Sequence, residues 1–300
     1  MNSLIKTSVN HYQVQPEAKD SLKEIKYEGL FIKNENKLKK HCILMLSGTS
    51  TQLADIDYFI SHLVDREYSI ASIERFIGGP FNIWIKPKLE RKEALKHFIC
   101  QLKENHNIEK IDIIAHSYAP FEVIRLLIDA PELYRKYVGN ILFINPAGFN
   151  DNIKYIPHCL RFSFIFIMKE YGSALVNLLR KGTGDKFLRE FYLNKLRAIT
   201  SLFLKTIQNP VRTFKEVADI VSFKLSFHVK NLIELYGYNF HFFLNTGDEL
   251  VNVSKTLQQI KELVPEKRIM TFSGNHLDIL IHKNQIKLFL NYLDKIMVIS

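Results

Sequence analysis

The stretch that decides the fold runs Ile111-Asp-Ile-Ile-Ala-His-Ser-Tyr-Ala-Pro120, an apolar run that stops abruptly at a serine. Such a run is typical of a buried strand. A serine hydroxyl becomes a strong nucleophile only where the backbone presents it at a sharp strand-to-helix bend, beside a base and near amide donors. The bend crowds the backbone, so the positions two before and two after Ser117 must be small. Both are alanine, Ala115 and Ala119.

Apolar runs and helical patterns alternate on both sides of this stretch. Strands are predicted at His41–Leu46, Ser69–Ile73, Ile111–Ile114, Gly139–Ile144, Phe240–Leu244 and Arg268–Phe272. Helices are predicted at Leu53–Asp65, Leu89–Glu104, Phe121–Ile128, Ser254–Leu263 and Asn284–Met297. The alternation predicts a mostly parallel sheet with right-handed crossovers, and ligands bind at the carboxyl ends of such strands. Before it, Glu24–Lys33 and the polar cluster at 34–37 predict an opening antiparallel hairpin.

The segment Ala115-His-Ser-Tyr-Ala119 resembles the nucleophile elbow of the α/β-hydrolase family, G-x-S-x-G, with alanine in place of both glycines. The resemblance implies an α/β-hydrolase fold, a mostly parallel sheet flanked by helices with an inserted all-helical cap. We expect residues 1–148 and 236–300 to form the α/β-hydrolase core. The cap insertion is expected at 149–235, where the regular pattern is lost and helices are predicted at Ile156–Leu179, Lys186–Gln208 and Val211–Tyr236.

The same resemblance assigns a catalytic acid and base. Asp248 follows the predicted strand at 240–244, where the family carries the acid that orients the histidine, and Glu249 is a weaker candidate one step away. His276 lies in the loop after the last predicted strand, where the family carries its general base. Alone, Asp248 is equally consistent with an ordinary acidic turn residue. A lone loop histidine such as His276 is more often solvated than catalytic. Together with Ser117 they give the order Ser, Asp, His, each at a strand end.

Two backbone amides are candidates for an oxyanion hole. Ser47-Gly48-Thr49 occupies the place of the family's His-Gly-x loop, so the resemblance points to the Thr49 N–H, with Gly48 allowing the turn. The second candidate is the Tyr118 N–H, directly after the nucleophile. The loop also reads as a polar turn that caps the next helix, and both interpretations can hold together.

Charge is the unusual bulk property of the chain, with a formal net charge of +10. The predicted cap holds fourteen lysines and arginines against seven aspartates and glutamates, so most of the excess lies there. This asymmetry favours a cap that meets an anionic substrate or an anionic membrane surface, although solvated lysines are common on helices. No Cys/His zinc pattern, RNA-binding aromatic signature or basic tail indicates nucleic acid.

Other features set expectations for location and cofactors. The three cysteines are far apart and lack metal-type spacing, which predicts reduced thiols in a reducing compartment. Residues 1–20 are polar and lack the apolar core of a signal peptide, so we expect a cytoplasmic protein. Tyr155–Met168 is apolar, but its short length, His158 and Arg161 argue against a membrane span. The proposed chemistry needs no metal or organic cofactor.

The sequence therefore predicts a serine hydrolase that cleaves a carboxylic ester or thioester through an acyl-enzyme. A serine at position 117 excludes the epoxide hydrolases and haloalkane dehalogenases of the resembled family, which use an aspartate nucleophile. An apolar, basic cap suits a hydrophobic acyl substrate with an anionic group. Two alternatives stay open: a carbon–carbon bond hydrolase of the same fold, and a non-catalytic ligand-binding member of it.

Overall fold

The computed structural model describes residues 10–14, 25–34, 40–48, 56–73, 87–149, 171–181, 186–208, 210–248 and 250–299. Eight strands form one sheet: β1 (Asn10–Val14), β2 (Ile25–Ile32), β3 (His41–Leu46), β4 (Ser69–Ile73), β5 (Lys110–His116), β6 (Val138–Ile144), β7 (Asn239–Asn245) and β8 (Ile269–Phe272). The helices of these ranges are α1 (Asp57–Asp65), α2 (Pro87–His106), α3 (Ala119–Asp129), α4 (Pro131–Arg135), α5 (Gly172–Lys181), α6 (Lys186–Gln208), α7 (Pro210–Ser222), α8 (Leu225–Tyr236), α9 (Val253–Leu263), α10 (Asp278–Ile281) and α11 (Lys283–Ile299).

The strand order is β1-β2-β4-β3-β5-β6-β7-β8. All neighbours from β4 to β8 pair in parallel, whereas β1 and β2 are antiparallel to their neighbours. The predicted mostly parallel sheet flanked by helices is therefore confirmed. Its central strands are apolar on both faces because helices cover both sides, which is why they read as unbroken apolar runs.

Two hydrophobic layers cover the faces of the sheet, and alternate residues of each strand point into different layers. Leu44 and Leu46 of β3 belong to the layer that α2, α3, α8 and α9 complete. Ile43 and Met45 belong to the other layer, which α1, α10 and α11 complete. The carboxyl ends of the parallel strands emerge between these layers.

Two element predictions are wrong in detail. The opening hairpin joins β2 to β1, and the other neighbour of β2 is β4, so the strand after the polar cluster at 34–37 enters the parallel part of the sheet instead. The helix predicted at Val211–Tyr236 is two helices, since α7 ends at Ser222 and α8 begins at Leu225. α8 buries Leu225, Val229 and Leu232 in the layer that covers the sheet.

Helices α5, α6 and α7 follow β6, in the region where the cap is predicted. Residues 150–170, which include most of the predicted helix at Ile156–Leu179, lie outside the described residues. The cap and its boundaries stay a prediction. Helix α8 lies inside the predicted cap, but it packs in the hydrophobic layer that covers the sheet. Among the described helices, none combines the length and the apolar character that crossing a membrane requires. Of the cysteines, Cys42 is buried in β3 and Cys100 is exposed on α2.

Candidate active site

Ser117 lies between β5, which ends at His116, and α3, which begins at Ala119. Its φ is +58°, in the left-handed region that costs a residue with a side chain about 1–2 kcal/mol. Two backbone hydrogen bonds hold this conformation: the Ser117 N–H donates to the Ile144 carbonyl at 2.9 Å, and the Ala147 N–H donates to the Ser117 carbonyl at 2.8 Å. The serine therefore occupies a sharp, strained turn at the carboxyl edge of the sheet.

The surroundings of this turn require small residues. Ala115 and Ala119, the two small positions of the motif, are fully buried. At Gly48, a Cβ would lie 2.8 Å from the Ser117 Cβ and 3.1 Å from the His116 Nδ1, too close for any residue but glycine. Gly48 is not one of the described glycines with positive φ. It is needed for close approach rather than for the turn that the sequence suggested.

The side chains of Ser117, His276 and Asp248 form a chain of hydrogen bonds. The His276 Nε2 lies 2.8 Å from the Ser117 Oγ, and its Nδ1 lies 2.5 Å from the Asp248 Oδ2. With the proton on Nδ1, the imidazole donates to the carboxylate and accepts from the serine hydroxyl. The histidine and the aspartate are buried, whereas the serine is partly accessible.

The loop after β7 fixes the Asp248 carboxylate. Its Oδ1 accepts hydrogen bonds from the N–H groups of Leu250 and Val251, at 2.9 and 3.1 Å, which leaves Oδ2 for the histidine. The Gly247 N–H donates to the Gly274 carbonyl at 2.9 Å, so the aspartate and histidine loops touch. Glu249, the weaker acid candidate, lies outside the described residues.

Of the two candidate oxyanion donors, one falls within the described chain. Thr49 lies outside the described residues. Tyr118 is the residue that precedes the first turn of α3. Backbone N–H groups at a helix start have no intrahelical acceptor, so the Tyr118 N–H is chemically suited to an anion.

The Tyr118 side chain has a different contact from its backbone N–H, because it binds helix α7. Its hydroxyl donates to the Asp219 Oδ2 at 2.5 Å, and Arg125 Nη1 donates to the same oxygen at 3.1 Å. Burial, reinforced by the nearby Glu216 and Asp219 carboxylates, raises the pKa of Tyr118 well above its usual value. The phenol therefore stays protonated and keeps donating, which fixes α7 to the residue beside the candidate nucleophile.

A second contact joins α6 to the histidine loop. Lys195, only 6% exposed, lies 3.3 Å from the Asp278 Oδ1, and the other oxygen of that carboxylate accepts from the Asn275 N–H at 2.9 Å. Ile199, one turn further along α6, packs against Leu250 and Leu277. No sequence signal marks Lys195, Asp219 and Asp278, because the Lys195–Asp278 and Tyr118–Asp219 contacts join positions 83 and 101 residues apart. Among the described residues, no group of His, Cys, Asp or Glu side chains is arranged to hold a metal ion.

Comparisons with known proteins rest on structure alone. No protein-family model and no curated protein sequence matches the chain. A carboxylesterase structure from the thaumarchaeon Nitrososphaera gargenis is similar at 14% identity and a TM-score of 0.62, over 96% of this chain and 100% of that one. A bromoperoxidase from Bacillus anthracis is similar at 13% identity and 0.62, over 95% and 100%. A putative lipase from Acinetobacter baumannii AYE is similar at 12% identity and 0.59, over 97% and 94%.

These similarities span almost the whole of each chain. The three proteins are named for different activities. At such low identity the comparisons establish the architecture and leave the reaction open. The strand order, the strained serine turn at the end of β5 and the loops after β7 and β8 fit that architecture. The chain has the α/β-hydrolase fold.

Proposed function

We propose that this protein is a serine hydrolase that cleaves carboxylic esters or thioesters through an acyl-enzyme. The observation that carries the proposal is the hydrogen-bonded chain Ser117–His276–Asp248, built around a strained serine at the carboxyl edge of the sheet. The structural similarity to a carboxylesterase and a putative lipase supports the same class of reaction.

The geometry supports a two-step mechanism. His276 Nε2 accepts the hydroxyl proton of Ser117 as the Oγ attacks the substrate carbonyl, and the backbone N–H groups of Thr49 and Tyr118 bind the oxyanion that forms. The imidazolium then gives its proton to the departing alcohol or thiol, which leaves the acyl group on the serine. Water, deprotonated by the same imidazole, attacks that ester and releases the acid. Asp248 holds the imidazole tautomer and stabilises the imidazolium.

The charge of the predicted cap supports a substrate with an anionic group. Among its residues whose burial is described, Glu216, Asp219 and Lys195 are buried, and two acidic residues, Glu190 and Glu234, are exposed. Five basic residues are exposed: Arg180, Arg189, Arg197, Lys224 and Lys230. The exposed charge of this part of the predicted cap is therefore basic. We propose a hydrophobic acyl ester or thioester that carries a carboxylate or phosphate.

Peripheral contact with an anionic membrane is a related proposal for the same region. α5 exposes Leu175, Val176 and Leu179 next to Arg180, which combines apolar and basic surface. Sedimentation with phosphatidylglycerol vesicles at low salt, reversed at high salt, is the expected result. Absence of binding at low salt removes this proposal.

Hydrolysis assays test the proposed reaction. We expect p-nitrophenyl esters and acyl thioesters of increasing chain length to be hydrolysed, and Ser117→Ala to lower kcat by about 10⁴-fold or more. Ser173→Ala, on the exposed surface of α5, is the matched control and keeps wild-type activity. Unchanged activity of a folded Ser117→Ala variant contradicts the proposal. If the folded wild type hydrolyses none of these substrates, a carbon–carbon bond hydrolase or a non-catalytic ligand-binding protein becomes the better interpretation.

A further inference from the structure

Three neighbouring strands carry a buried polar residue where they reach the site. His116 ends β5, Asn145 directly follows β6, and Asn245 ends β7. Each is only 1% exposed. Because β5, β6 and β7 are adjacent and parallel, the three side chains form a row across the carboxyl edge of the sheet. Burying an amide or an imidazole is costly unless it forms hydrogen bonds, so the partners of this row matter.

The row binds the main chain of the histidine loop. The Asn145 Nδ2 donates to the His276 carbonyl at 2.8 Å, and the His116 Nε2 lies 3.2 Å from the same oxygen. The Asn245 Nδ2 donates to the Asn275 carbonyl at 2.6 Å. Two consecutive carbonyls of the loop are thus bound by three side chains from the sheet. This fixes the backbone from which the His276 imidazole extends.

The orientation of Asn145 is set by a second contact. Its Oδ1 accepts the N–H of Asn245 at 2.7 Å, so the amide nitrogen must face the His276 carbonyl. Its backbone has φ +44°, a conformation that asparagine adopts more readily than most residues with a side chain. An aspartate at this position, ionised, has no proton to donate to the carbonyl. Both the donor and the conformation therefore favour asparagine.

We propose that Asn145 and His116 are positioning residues that aim the His276 imidazole at Ser117. This inference rests on the proposed serine hydrolase function. His116 is the chain neighbour of Ser117, and the Ser117 N–H is bound to Ile144, the neighbour of Asn145. The nucleophile and the base are consequently fixed to the same two strand ends. Their separation is then set by the sheet and does not depend on the hydrogen bond between them.

Substitution of Asn145 in the full-length protein tests the proposal. Asn145→Gly accepts the positive φ and removes both side-chain contacts, the donor to the His276 carbonyl and the acceptor of the Asn245 N–H. Asn145→Ala removes the same contacts and also strains the turn. We expect both to lower kcat by about 10- to 100-fold, because small displacements of a catalytic group have effects of that size. KM should stay within about twofold. The rate at which a fluorophosphonate labels Ser117 should fall with kcat, since that reaction also needs the base.

Asn140→Ala is the matched control, because Asn140 is a buried asparagine at the opposite end of the same strand. It should keep wild-type kcat and labelling rate. If wild type is labelled and Asn145→Gly is labelled equally fast, the inference is wrong and the proposed function stands. If folded wild type is not labelled, the proposed function fails.

A crystal structure of Asn145→Gly provides a readout that needs no activity. We expect the separation of Ser117 Oγ and His276 Nε2 to increase from 2.8 Å to beyond about 3.5 Å, the limit for a hydrogen bond. An unchanged separation overturns the inference whatever the kinetic result.

Discussion

The two ends of strands β5, β6 and β7 both carry buried polar residues, but these residues have different partners. At the carboxyl ends, His116, Asn145 and Asn245 bind carbonyls of the histidine loop. Toward the amino ends, Asp112, Asn140 and His241 are buried, each four or five residues, or about 13–17 Å, before the carboxyl-end residue of its own strand.

The amino-end residues connect parts of the core to one another. Asp112, fully buried, accepts the Asn140 N–H at 2.5 Å and lies 3.0 Å from the His41 Nε2. Only glycine fits at position 139, because a Cβ there would collide with the Asp112 carboxylate. The His241 Nδ1 lies 2.8 Å from the hydroxyl of Tyr292 on α11. The comparison indicates that similar buried residues stabilise the fold at one end of the strands and position the site at the other.

The largest expected effect is a loss of turnover, and it comes from a substitution in the site at the carboxyl ends of the strands. Asp248→Asn should lower kcat by about 10⁴-fold, because an amide in place of the carboxylate favours the wrong tautomer of His276. The free energy of unfolding should change little by comparison. Asp278→Asn is the matched control, since its carboxylate binds Lys195 and the Asn275 N–H in the same loop region and does not contact the imidazole. Equal losses of kcat in the two variants would contradict the assignment of Asp248.

The next largest effect is a loss of stability, and it comes from a substitution near the amino ends of the strands. Asp112→Ala leaves the Asn140 N–H without its buried acceptor and removes the carboxylate that lies 3.0 Å from the His41 Nε2. We expect this to lower the free energy of unfolding by about 3 kcal/mol. Urea unfolding measures this loss. The kcat of the folded fraction, from active-site titration, should stay within about twofold of wild type. A large loss of kcat with intact stability would break the distinction between the two ends.

The effect expected at His241 is the smallest at neutral pH, because it develops only in acid. Burial, together with the charge of Arg268, lowers the pKa of His241 to about 4. As the pH falls from 6.5 to 4, the unfolded chain binds a proton that the folded histidine does not. This group therefore lowers the free energy of unfolding by roughly 3 kcal/mol over that range. His241→Gln removes the titration, so its urea-unfolding curve should lose stability less steeply in acid. Parallel pH profiles of the variant and wild type would refute this.

Much of the fold could be predicted because the central strands stand out as apolar runs between helical patterns. Ser117 was predicted from its place at the end of such a run, and Asp248 and His276 were predicted from the resemblance to the α/β-hydrolase family, which carries its acid and base in loops after later strands. The structure brings the three within hydrogen-bonding distance. Local signals failed elsewhere. β1 has no apolar alternation and depends on pairing with β2, and the break between α7 and α8 contains neither glycine nor proline.

The contacts that support the site could not be predicted, because they depend on strand register and on how the helices after β6 pack. No local pattern marks Asn145 as a functional residue, because a polar amide in the turn after a strand is common. Its contact with His276 joins positions 131 residues apart, and that of Tyr118 with Asp219 joins positions 101 apart. No local pattern encodes which buried amide or carboxylate meets which partner across such distances.

Mass spectrometry after reaction with a fluorophosphonate tests the central claim most directly. We expect the intact wild-type protein to gain one covalent adduct, located by peptide mapping on Ser117, and a folded Ser117→Ala variant to gain none. An adduct on another residue, or equal modification of the variant, would contradict the assignment of Ser117 as the nucleophile.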